Sequence, residues 1–433
     1  MEMTATEKIL ARHAGREEVQ AGEVVWITAD VLLTHDVCGP GTVGILKKEF
    51  GSDAKVWDKD KVVIIPDHYI FTEDARSRRN VAAIQEFARE QDLTHHYDVG
   101  TDNYRGVCHV ALPEGGHTRP GEVLIGTDSH TCTAGAFNEF ATGVGNTDGA
   151  LVMGTGRLWV MVPETMKFVV EGTMPSYLMA KDIILHIIGD IGVDGATYRA
   201  MEFDGEAVLS LSIEERMTLC NMVVEAGGKN GIIPADDTTI EHVRRRTDKP
   251  FSTVQSDPGA RYHSIHVYQA QQIEPTVAKP HRPDQRATAR ELSDVTLTRA
   301  YIGSCTGGKT EDLAAAAKVL KGNSVTIETF VVPATVEVER NMRTQKIGGH
   351  TIEDIFLSAG VKIGPPSCAA CLGGPTDTYG RMQGKEVCIS TTNRNFHGRM
   401  GSKEGQIFLA SPYTAAASAV RGKITDPREL LED

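Results

Sequence analysis

No apolar run in this sequence approaches the ~20 residues that a membrane-spanning helix requires. The start, Met1 to Gln20, mixes acids with bases and lacks the apolar heart of a secretion signal. Both absences point to an intracellular, cytoplasmic chain. An excess of positive charge is missing too. The 45 Lys and Arg are outnumbered by 58 Asp and Glu, and a formal charge of -13 disfavours nucleic acid and anionic lipid as partners. Cysteine is sparse: eight residues in 433 are too few for a secreted disulfide scaffold, which leaves metal binding or burial. Core packing is the reading for Cys38, Cys108, Cys132, Cys220 and Cys388.

A chain of 433 residues exceeds what one core comfortably fills, so two or three domains are expected. With 40% hydrophobic and 24% charged residues, the composition is that of a soluble globular protein.

One local pattern recurs four times: a short β-branched run leading into small, polar or charged residues. Lys61 to Ile65 leads into Pro66-Asp67-His68, and Glu122 to Ile125 into Gly126-Thr127-Asp128-Ser129-His130. Arg299 to Ile302 leads into Gly303-Ser304-Cys305-Thr306, and Glu386 to Ser390 into Thr391-Thr392-Asn393-Arg394. Runs this short and this rich in Val and Ile suit strands buried on both faces of a parallel sheet. Helical periodicity lies between them, as in Arg79 to Glu90 with Val81, Ile84, Phe87 and Ala88 on one face, and in Glu311 to Lys321. Alternating strands and helices predict an α/β fold, in which ligands gather at the carboxyl ends of the strands. All four polar clusters fall there.

Boundaries are suggested near Pro163 and at Pro275 to Gln285, dividing the chain into three α/β units at 1–165, 166–285 and 286–433. The alternative is two domains with long surface loops.

Cys305 after a strand, with Cys368-Ala369-Ala370-Cys371 about sixty residues on, is the strongest chemical signal. A C-x-x-C turn brings two thiolates to one metal face. Three readings compete: a structural zinc site, a thiol redox pair, and a three-cysteine iron-sulfur cluster with one iron free of protein ligands. Zinc lacks an evident fourth ligand, and a redox pair leaves Cys305 unexplained.

Asp67-His68 and Asp128-Ser129-His130 set a carboxylate beside an imidazole, as tuning a general acid near neutral pH requires. Either pair alone would more often be a hydrogen-bonded strand-end histidine. Ser212 to Glu215 reads as a capping box opening a helix that closes before Gly227-Gly228, putting Glu225 in its last turn, against the dipole. Arg394 and Arg399 stand in a glycine-bearing loop and suit bidentate carboxylate recognition. Gly143-Val144-Gly145 and Gly154-Thr155-Gly156 complete no phosphate-binding motif and read as turns.

Taken in order, these motifs resemble the aconitase superfamily over nearly the whole length, and within it the isopropylmalate dehydratase large subunits. The likeness rests on Thr34-His35-Asp36, Pro66 to His68, Gly106 to His109, Gly126 to His130, Cys220-Asn221-Met222 with Glu225, Gly303 to Thr306, Cys368 to Cys371, and Asn393 to Arg399. It implies one 4Fe-4S cluster on Cys305, Cys368 and Cys371, and hydro-lyase chemistry isomerising 2- and 3-isopropylmalate in leucine biosynthesis. Homoaconitase and citramalate-type dehydratases are the alternatives.

The resemblance further implies His68, with Asp67, as the acid, and His109, Asp128, His130 and Glu225 as organisers of the released water. Arg394, Arg399, Asn393, Ser129, His35 and Asp36 would bind substrate. Single-chain relatives carry a fourth, swivelling domain with a serine base, so a small partner subunit is expected to supply it. Relatives often place Asn where this chain has Gly307, which puts one contact near the cluster in doubt. The plant-like branch is the most similar, which admits a plastid stroma as well as the cytoplasm.

Overall fold

The computed structural model describes residues 2–431; residues 1, 432 and 433, in the expected first and third units, lie outside them. Three parallel or largely parallel sheets carry the molecule, each built mainly from one stretch of sequence. The first has five parallel strands in the order His95–His96, Val62–Ile64, Val31–Thr34, Val123–Gly126, Phe140–Gly143. Its side chains alternate between two cores. Leu32, Val62, Ile64, Val123 and Ile125 enter one, and Leu33, Val63 and Leu124 enter the other. This two-sided burial is why the strands read as continuous apolar runs, and each buried Val or Ile contributes about 1.5–3 kcal/mol.

The second sheet is also parallel, in the order Asn230–Ile232, Ala200–Asp204, Thr165–Glu171, Ser264–Gln269. The third has seven strands, with Val387–Ser390, Arg299–Ile302 and Glu328–Val331 adjacent and parallel. Thr276–Ala278, placed by sequence in the middle unit, pairs antiparallel with Gln406–Leu409 in this third sheet. One hydrophobic core joins Leu33 and Val63 of the first sheet, Phe168 and Phe203 of the second, and Cys305 and Cys388 of the third. The strand ends of the first and third sheets therefore meet over shared packing.

The helix expected over Arg79 to Glu90 spans Ala75–Glu90, capped by the Asp74 carboxylate on the Ser77 amide, and buries Ile84, Phe87 and Ala88. Val81 is only half-buried. The helix expected over Glu311 to Lys321 spans Thr310–Leu320. The expected capping box at Ser212 is only half made. Ser212 accepts from the Glu215 amide, but the Glu215 carboxylate accepts from the Ala180 amide of a neighbouring helix, a contact invisible at local range. That α-helix ends at Asn221, so Glu225 lies in a following 3-10 turn, Met222–Ala226, rather than in its last turn.

Candidate active site

Each cluster of the first and third sheets emerges where its strand stops. His35 and Asp36 follow Val31–Thr34, a fifth case of the strand-to-cluster pattern that periodicity alone does not single out. Asp67 and His68 follow Val62–Ile64, and Asp128 caps the 3-10 helix Ser129–Phe137 by accepting from the His130 amide at 2.8 Å. Cys305 follows Arg299–Ile302 through Ser304, whose φ of 70° is left-handed and sharply reverses the chain. Cys368 caps and Cys371 lies within a one-turn helix, Ala369–Leu372, closed by left-handed Gly373. A Cβ at Gly373 would stand 2.6 Å from the Gly401 amide nitrogen, so the loop bearing Arg399 packs where only glycine fits.

These ends enclose one cavity of about 150 Å³, lined by His35, Cys38, His68, His109, Asp128, His130, Cys305, Cys368, Cys371, Asn393, Arg394 and Arg399, with Val37 and Leu372. Twelve side chains from distant parts of the sequence thus converge, eleven of them expected to.

The acid–base wall is made of linked ion pairs. Asp67 Oδ1 lies 2.5 Å from His68 Nδ1, while its other oxygen accepts from the Cys108 amide at 2.8 Å. Burial disfavours an imidazolium at His68, but the charge and hydrogen bond of Asp67 outweigh it and raise the pKa. His68 therefore holds its proton more firmly than a free histidine. Asp128 meets His109 Nε2 at 2.8 Å and lies 3.4 Å from both His35 Nε2 and His130 Nδ1. Burial works against its ionisation, yet His109, His130 and His35 together hold it well below the usual carboxylate range.

Glu225, its side chain 1% exposed, accepts from Arg394 Nε at 2.8 Å and meets His130 Nε2 at 2.9 Å. Burial and the nearby Arg394 charge depress the His130 pKa, but hydrogen bonds to Asp128 and Glu225 prevail and raise it to about 9. Its carboxylate is a buried bridge between two cations, which explains its place better than a helix dipole does.

The sulfur wall lies opposite. Cys305 receives the Asn221 Nδ2 amide at 3.2 Å and the Asn393 Nδ2 amide at 3.4 Å, and Arg399 Nη2 reaches Cys371 Sγ at 3.6 Å. A hydrogen bond from Cys368 brings the Cys305 pKa down to about 6, and the same neighbour, with Arg399 and two imidazoles, holds Cys371 well below a normal thiol. Cys368, the shared donor, is pushed up.

Beneath them lies a fully buried lysine that no sequence pattern announced. Lys181 Nζ donates to Thr306 Oγ1 and to the carbonyls of Thr391 and Thr392 at 2.7–3.1 Å, with no carboxylate in ion-pair range among the described residues. Burial drives its pKa down to about 7, partly offset by the cysteines. A buried lysine whose charge the cysteines favour, with amide donors on the sulfurs, suits an anionic centre at this place. Four thiols line the cavity, and the three that influence one another, those of Cys305, Cys368 and Cys371, fit an iron-sulfur group.

Of the remaining expected residues, Asp67 and Glu225 stand directly behind the cavity wall. Asp36 does not line it: both its oxygens are taken by the amides of Asp67, His68 and Tyr69, so it shapes the loop that carries His68. Ser129 is half-buried behind His130, its Oγ 3.4 Å from the ring. Cys38, expected in the core, is half-buried and lines the cavity, because the helix Gly39–Phe50 starts immediately after it. Cys108, Cys132, Cys220 and Cys388 are buried as expected. Asn221 was overlooked although it stands inside a recognised motif; its signal was an amide beside Cys220 on a helix facing the cysteines.

Linked carboxylate–imidazole pairs and a group of cysteines around one cavity make this an α/β enzyme site. A family model described as Aconitase family (aconitate hydratase) matches residues 7–293 and 286–422. The chain is 58% identical to the chloroplastic 3-isopropylmalate dehydratase large subunit of Arabidopsis thaliana, over 99% of this chain and 87% of that protein. It is 45% identical to 3-isopropylmalate dehydratase large subunits of Methanopyrus kandleri and Heliobacterium modesticaldum, over essentially the full length of each. The chain belongs to the aconitase family and, within it, to the group of 3-isopropylmalate dehydratase large subunits. No helix among the described residues is long and apolar enough to cross a membrane.

Proposed function

We propose that this chain is the catalytic large subunit of a hydro-lyase that interconverts 2- and 3-isopropylmalate by removing and re-adding water, a step of leucine biosynthesis, and that it acts with a small subunit. The observation that carries this reading is the cavity in which Cys305, Cys368 and Cys371 stand with an Asp-held histidine and two arginines. A 4Fe-4S cluster on Cys305, Cys368 and Cys371 supplies, when bound, a Lewis-acidic iron without a protein ligand.

The chain's own groups do the rest. His68, kept protonated by Asp67, gives its proton to the departing hydroxyl. His109 and His130, oriented by Asp128 and Glu225, hold the released water by hydrogen bonds. Arg394 is aimed by Glu225, and Arg399 Nε is buried without a partner among the described residues, a donor awaiting a substrate carboxylate. Asn393 fixes the cysteine rim. The chain divides into three α/β units around this site. The base and the remaining carboxylate contacts come from the swivelling domain of the small subunit.

Anaerobic reconstitution of the chain with iron and sulfide, followed by assay with its small subunit on isopropylmalate, homocitrate and citramalate, tests cofactor, partner and substrate together. The expected result is turnover of isopropylmalate by the pair alone, and loss of both the visible cluster absorbance and activity in Cys371→Ser. Equal turnover without the small subunit would sink the two-subunit reading.

A further inference from the structure

The cavity contains two aliphatic side chains, Val37 and Leu372, that nothing so far explains. They come from opposite walls, Val37 from the loop after Val31–Thr34 and Leu372 from the end of the one-turn helix next to Cys371. Both are half-buried, and neither joins any of the three hydrophobic cores among the described residues. An aliphatic side chain outside the cores that faces charged and polar groups gains little from folding there. It stabilises only when an apolar group arrives.

Their positions are also fixed. The Val37 amide donates to His35 Nδ1 at 3.2 Å, and His35 stacks on His68 with ring centroids 4.6 Å apart, so Val37 is tied to the acid. Leu372 is held between Cys371 and left-handed Gly373. Val37 further lines the adjoining cleft of about 780 Å³ with Tyr69, Gly373 and Pro375, and so stands where the small cavity opens outward.

Resting on the proposed function, we infer that Val37 and Leu372 form the apolar clamp for the branched side chain of the substrate, and that they select an alkyl-substituted malate over one with a carboxylate arm. Every other side chain lining the cavity presents a charge, an imidazole, a thiol or an amide, so the alkyl branch has one apolar place to lie. A third carboxylate placed there would be desolvated against two aliphatic groups. Neither residue touches the reacting atoms; both set specificity by shape and polarity.

The test uses the reconstituted two-subunit enzyme and compares kcat/KM for 2-isopropylmalate, 2-methylmalate and citrate. Val37→Ala and Leu372→Ala should each lower the isopropyl-to-methyl ratio roughly tenfold, the discrimination that one or two methylenes in a pocket give. Val37→Thr, which keeps the volume but adds a hydroxyl, should lower the same ratio while leaving the cluster absorbance of the wild type. An equal loss on both malates, or an unchanged ratio with the cluster intact, overturns the clamp. If the wild type turns over citrate as readily as isopropylmalate, the selectivity claim falls. If it turns over no alkyl-malate at all, the proposed function beneath it falls as well.

Discussion

Replacing Glu225 with Gln removes a negative charge from between two cations while keeping the shape of the side chain. The carboxylate is 1% exposed and joins His130 and Arg394, so water cannot take its place. The upward shift of His130, from 6.5 to about 9, corresponds to about 3 kcal/mol of preference for the charged, folded ring, shared between Asp128 and Glu225. Stripping one partner from a buried pair typically destabilises by about 3–5 kcal/mol. These figures overlap, and about 3 kcal/mol lost near pH 7 is expected for Glu225→Gln.

The pH dependence follows from the raised pKa. The folded state keeps the His130 proton up to about 9, while the unfolded chain releases it near 6.5. This stabilisation is complete below 6.5 and is lost as pH rises through about 9. Glu225, with its pKa lowered, contributes above its unfolded value of 4.5 and loses that contribution in acid. Urea unfolding of the cluster-free wild type and variant, at steps from pH 6 to 10, measures both. Other groups titrate in this range, so the difference between the two proteins is the readout. It should be largest at the acidic end of this range and shrink toward pH 10, with a residue left by Arg394. A pH-independent difference, or none, would refute the bridge.

Two further substitutions probe the sulfur wall. Gly307→Ala would set a Cβ 2.0 Å from Thr391 Oγ1, which itself bonds the Gly303 amide, so overpacking should lower stability by about 1–3 kcal/mol in a denaturant titration; an unchanged midpoint would refute the clash. Lys181→Met strands the carbonyls of Thr391 and Thr392 and removes the cation under the cysteines, so the reconstituted chain should lose its cluster absorbance faster in air than the wild type, whereas equal decay would show that the charge is irrelevant to the centre.

The absence of a side chain at Gly307 also answers the departure that the sequence raised. Where relatives often carry Asn, this chain has Thr391 packed into that volume, making hydrogen bonds to the Gly303 amide and carbonyl. Amide donors still reach the sulfur, but from Asn221 and Asn393.

What could be read from sequence was what a few neighbouring residues determine. A β-branched run followed by Asp-His or Ser-Cys-Thr states both the strand and the group at its end, and the first and third sheets keep that rule. Contacts made across the fold were silent. Glu215 looks like half of a capping box until the Ala180 amide comes within 3.1 Å of its carboxylate. Lys181 sits in an apolar helix, Ala180–Ile191, as an apparent surface charge, and only the approach of Thr306, Thr391 and Thr392 makes it a buried ligand of carbonyls.

The same division separates chemistry from selectivity in this site. Acid, thiols and arginines are rare residue types in recognisable pairs, so their chemistry is visible one residue at a time. An alkyl clamp is made of Val37 and Leu372, the commonest kind of side chain, and in sequence nothing distinguishes them from core residues. Only their exclusion from all three cores and their exposure to one polar cavity mark them. Substrate preference, the softest point of a sequence reading, therefore depends on those apolar side chains that the fold declines to bury.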